Sequence, residues 1–63
     1  MTNYYRYHIN RYSRNEDGTW NYGIFDTQIN QWSVPFYWTN GLDNELQAIC
    51  YELNQKNAAE LSA

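Results

Sequence analysis

The stretch TWNYGIFDTQINQWSVPFYWT, residues 19–39, decides the fold. Trp20, Tyr22 and Ile24 alternate with Thr19, Asn21, Gly23 and Phe25, the two-residue period of a half-buried strand over residues 19–26. A turn is expected near Asp26–Asn30, and beyond it Trp32, Val34, Phe36 and Trp38 alternate with Gln31, Ser33, Pro35, Tyr37 and Thr39. That places a further strand over about residues 31–39. Pro35 has no N–H to give to a ladder, so this strand belongs at a sheet edge.

Upstream, Tyr5, Tyr7 and Ile9 alternate with Arg6 and His8, which reads as a first strand over about residues 4–12. Ser13–Gly18 has no period and ends in Asp17-Gly18, a hairpin signal. Downstream, Leu42, Leu46, Ile49 and Leu53, with Cys50 beside Ile49, form one stripe of a helix over about residues 41–57. Thr39 or Asn40 is the expected cap, Asp43 and Glu45 suit the positive first turn, and the stripe fades after Leu53. The predicted fold is therefore α+β: a three-stranded antiparallel meander of order 1-2-3, with one C-terminal helix packed on one face (βββα).

A chain of 63 residues has room for one core, so residues 1–63 read as a single small domain. Seven Tyr, three Trp and two Phe supply its bulk. A lone cysteine rules out an internal disulfide and a thiolate pair for structural zinc. No apolar run approaches the roughly 18 residues of a membrane span, and Met1–Asn10 does not read as a signal peptide; a cytoplasmic protein is expected.

The net charge is −3, which disfavours a chain whose whole surface binds nucleic acid. The charge is unevenly spread: Arg6, Arg11 and Arg14 precede every acid, whereas residues 15–63 hold all seven acids against Lys56 alone.

One helix covers one face of a sheet. The larger apolar set, Tyr5, Tyr7, Ile9, Trp20, Tyr22, Ile24, Trp32, Val34, Phe36 and Trp38, is the predicted core. By parity the open face shows Tyr4, Arg6, His8, Asn10, Tyr12, Asn21, Phe25, Gln31, Ser33, Pro35 and Tyr37. Aromatics with arginine are enriched where proteins bind partners, so Tyr4, Arg6, His8, Tyr12, Phe25 and Tyr37 are the candidate binding residues.

Catalytic chemistry has less support. His8 and Cys50 fall on different elements and make no dyad, Glu16-Asp17 sits in a turn, and Asp43 with Glu45 opens a helix. Gly18, Gly23 and Gly41 are isolated, so no phosphate loop exists, and Gly23 marks a bulge or a close approach. Neither an enzyme, a cofactor nor a metal is expected. The nine Asn and four Gln read as solubilising residues.

The strand–strand–strand–helix order, with Gly18-Thr19-Trp20 opening the second strand and Thr39-Asn40 before the helix, resembles two DNA-binding families, the arm-binding domains of tyrosine integrases and the plant AP2-type domain. That resemblance implies readout of the major groove by the open face. This chain has Asn, Gln and Ser where those strands carry several Lys and Arg, leaving Arg6, with Arg11 and Arg14 near the strand end, to match their chemistry. The leading expectation is a non-enzymatic module that binds a protein partner or its own copy as a homodimer. The alternatives are a nucleic-acid module and an acidic inhibitor of a nucleic-acid enzyme acting through helix acids such as Glu52 and Glu60.

Overall fold

The computed structural model describes residues 5–62. Its elements are β1 (Tyr7–Arg14), β2 (Trp20–Asp26), β3 (Gln31–Trp32), β4 (Trp38–Asn40) and α1 (Asn44–Ser62), an α+β layout with one antiparallel sheet. β2 is central. It pairs with β1 on one side and with both β3 and β4 on the other, so β3 and β4 are two pieces of one edge strand.

The hairpin between β1 and β2 closes at Asn15–Gly18, where the Gly18 N–H donates to the Asn15 carbonyl at 3.0 Å and Gly18 takes φ 91°. A side chain at that φ would meet its own carbonyl, hence glycine. Asp17 fixes the exit by accepting from the Thr19 N–H and hydroxyl.

The second turn is four residues long, because Asp26 pairs with Gln31. Asp26 caps it by accepting the Gln28 N–H at 3.0 Å, and Asn30 closes it in the left-handed region at φ 54°.

The predicted third strand breaks in its middle. Ile24 bridges the break, its carbonyl accepting the Ser33 N–H and its own N–H donating to the Tyr37 carbonyl, while Val34, Pro35 and Phe36 loop out between. Pro35 has no N–H for a ladder, and Ser33 Oγ donates to the Pro35 carbonyl across the loop. The Val34–Pro35 peptide is cis.

This geometry corrects the predicted core. Trp32 pairs with Phe25 and Trp38 with Gly23, so both tryptophans lie on the sheet face away from α1. Phe36 joins them there, Val34 is 83% exposed, and Tyr5 is exposed too. Trp20 is half-buried, under guanidinium groups rather than under the helix. The helix-side core is smaller: Ile24, Leu46 and Cys50 are buried, with Tyr7, Ile9, Tyr22, Tyr37, Ile49 and Leu53 packed around them.

α1 packs on β1 and β2. It is capped not by Thr39 or Asn40 but by Asp43, whose Oδ1 accepts the Leu46 N–H at 2.8 Å. Asp43→Ala should lower stability by about 1 kcal/mol, read as a fall in Tm of roughly 4–8 °C by thermal melts.

The apolar stripe fades after Leu53, yet α1 continues to Ser62 because its inner face turns polar and finds polar partners. Asn54 accepts the Tyr7 N–H and donates to the Tyr7 carbonyl, at 2.9 and 3.0 Å, thus closing the free edge of β1 at its start. Asn57 is buried and accepts from Arg6.

Candidate functional site

The face away from α1 is an aromatic cluster organised by Trp32. Its ring meets Tyr12 edge-on at 5.3 Å, Phe25 edge-on at 5.4 Å and Phe36 at 5.6 Å, and Tyr12 also meets Phe36 at 4.9 Å. These separations and tilts are those at which ring edges face ring π-clouds. Three elements and a loop supply the rings, and each has a local reason for its position.

Tyr12 comes from a bulge in β1. Arg11 pairs with Tyr22 and Ser13 with Asn21, leaving Tyr12 as the extra residue, and the local kink aims its ring across the sheet. Phe25 belongs to β2 and Trp32 to β3. Phe36 arrives from the loop and lies over Gly23, where an added Cβ would come within 2.8 Å of its ring. Glycine is needed there for room, not for backbone freedom.

Beside the rings runs a ladder of amides. Asn21 Nδ2 donates to Ser13 Oγ at 2.8 Å and to Asn15 Oδ1 at 3.0 Å, while Asn40 and Asn15 both donate to Asn21 Oδ1. Residues that read as solubilising therefore tie the edge strands to β2. Tyr12 and Trp38 stay 46% and 54% exposed, and Phe36 is 36% exposed, so the face is apolar where it meets solvent.

Of the predicted binding residues, His8, Tyr12 and Phe25 lie on this face, with His8 opposite Phe25. Tyr4 lies outside the described residues. Tyr37 is instead on the helix side, packed against Ile24, Leu46 and Cys50. Arg6 turns away as well: its Nε and Nη2 donate to the two Asp26 carboxylate oxygens at 2.7 and 2.8 Å, and Nη1 to Asn57 at 3.4 Å. Hydrogen bonds from Arg6 hold the Asp26 carboxyl below the usual carboxylate range, against the opposing effect of its burial. Trp32, Phe36 and Trp38, which strand parity alone places in the core, belong to this face instead. The signal that finds them is the length of the turn before Gln31.

Arg11 and Arg14 stack on Trp20 with guanidinium carbons 4.9 and 5.9 Å from its ring centroid. Burial pushes the Cys50 thiol up, which disfavours its thiolate. Among the described residues no three His, Cys, Asp or Glu side chains group as metal ligands, and no helix is long and apolar enough to cross a membrane. Set against protein-family models, characterised proteins and solved structures, the chain matches none.

Proposed function

We propose that this chain is a non-enzymatic, cytoplasmic binding module that engages a protein partner through the sheet face opposite α1. The observation that supports this reading is the exposure of Tyr12, Phe36 and Trp38 around a close-packed aromatic centre with an amide border. Aromatic rings already held in place lose little freedom on binding and offer a large area for a partner to cover. A polar border around an apolar centre is the usual anatomy of a protein interface. The nucleic-acid alternative is weakened by Arg6, which is committed to Asp26 and leaves that face without its expected cation.

Tyr12→Ala tests the reading. It should keep the far-ultraviolet circular dichroism of the parent and weaken capture of a specific partner by about 2 kcal/mol, roughly 30-fold. Sedimentation of both proteins shows whether the partner is a second copy. Capture and sedimentation both unchanged by Tyr12→Ala would refute the face as the binding surface.

A further inference from the structure

We infer that the cleft between β4 and the first turns of α1 binds an extended peptide in which an apolar residue and a lysine or arginine are separated by one position. The inference rests on the reading of the chain as a binding module and adds a second surface with its own ligand chemistry.

α1 packs chiefly on β1 and β2, and a gap remains between its first turns and β4. There a cleft of about 320 Å³ is lined by Phe36 and Trp38, which also belong to the aromatic face, and by Tyr37, Thr39, Glu45, Leu46 and Ile49. One wall is a strand edge. Ile24 N–H donates to the Tyr37 carbonyl, Thr39 pairs with Tyr22, and Gly41 N–H donates to the Trp20 carbonyl, so residues 37, 39 and 41 direct their backbone groups at β2. Alternation then turns the N–H and carbonyl groups of Trp38 and Asn40 outward. Among the described residues, no loop or helix group meets them. The free edge of β1 differs at its start, where Asn54 occupies both backbone groups of Tyr7.

A peptide adding to this edge as a strand would satisfy those groups and point alternate side chains into the cleft. Ile49, partly buried, offers apolar contact, with Leu46 buried behind it. Glu45 is the one charged residue in the lining, and it makes no ion pair among the described residues. Spacing links the two features. Glu45 and Ile49 are one helical turn apart, about 6 Å along the axis, and side chains two apart on a strand are separated by about 6.7 Å. A peptide following the helix thus presents a cation to Glu45 when its apolar side chain meets Ile49.

The test is selection of random displayed peptides, about seven residues or ~23 Å when extended, on the full chain. The enriched sequence is then synthesised for titration. The expected consensus is an apolar residue and a Lys or Arg with one residue between them. Its affinity should fall about tenfold or more in Glu45→Lys, where attraction becomes repulsion, and less in Glu45→Gln, which keeps the side chain's shape. Amide resonances of Trp38 and Asn40 should shift and exchange more slowly. No consensus, an affinity indifferent to Glu45→Lys, or shifts confined to the Ile9–Arg11 edge of β1 would overturn it. Failure here with partner capture still dependent on Tyr12 removes the cleft alone. Peptide binding at the cleft with capture indifferent to Tyr12→Ala supports the cleft and removes the aromatic face.

Discussion

Asp26→Ala should lower the melting temperature by roughly 12–24 °C, the shift that about 3 kcal/mol makes in a domain of this size. Asp26 is 3% exposed and accepts three hydrogen bonds, two from Arg6 and one from the Gln28 N–H. Removing it strands the guanidinium against the buried amide of Asn57 and opens the turn before β3. A chain of 63 residues has a total stability of only about 3–9 kcal/mol, so the loss takes a third of it or more.

The same pair sets an acid dependence. The folded Asp26 carboxyl lies below its unfolded value, so its contribution is complete above that value, about 3.9, and is lost as pH falls through the folded value. Stability should decline from about pH 5 downward, and Asp26→Asn should flatten that decline. The Arg6 pKa is raised, chiefly by its hydrogen bonds with Asp26, so its contribution persists until strongly alkaline pH. A melting temperature within about 4 °C of the parent for Asp26→Ala would show that the pair contributes little.

Gly23→Ala should destabilise by about 1–3 kcal/mol, for a different reason. The added methyl would lie 2.8 and 2.9 Å from two Phe36 ring atoms and 3.3 Å from Trp32. Phe36 is partly exposed and can swing outward, so the loss is the ring's contacts with Tyr12 and Trp32 rather than a clash that cannot relax. Near-ultraviolet circular dichroism should fall with the stability. In a Phe36→Ala background most of that cost should vanish, because only the 3.3 Å approach to Trp32 remains and alanine offsets it by relieving the entropic weakness of glycine in a strand. Equal effects in both backgrounds would show that Phe36 does not lie over Gly23.

Most of the architecture is legible in the sequence because period, proline and helix stripe agree. Asp17-Gly18 announces the hairpin, and Pro35 announces an edge. The face of the third strand is not legible by hydrophobicity, since both of its parity sets contain aromatics. It depends on one count. A five-residue turn at Asp26–Asn30 aligns Phe25 with Gln31, whereas the four-residue turn aligns Phe25 with Trp32, and that single step exchanges every side chain between faces. The capping roles of Asp26 and Asn30 are the local chemistry that fixes the count.

Within the proposed binding face, His8, Tyr12 and Phe25 follow from strand alternation. Arg6 does not, because it precedes β1 and reaches around to Asp26, a partner 20 residues away that no local pattern indicates. Asn54 and Asn57 escape for a related reason: a helix face that docks by hydrogen bonds shows no apolar stripe.

The reading of the far face as a binding surface stands on the register of the third strand. Nuclear Overhauser contacts of the Phe36 ring test it most directly. The structure predicts contacts from that ring to the Gly23 α-protons, Tyr12 and Trp32. Contacts from the Phe36 and Trp32 rings to Cys50 in the helix-side core would contradict it.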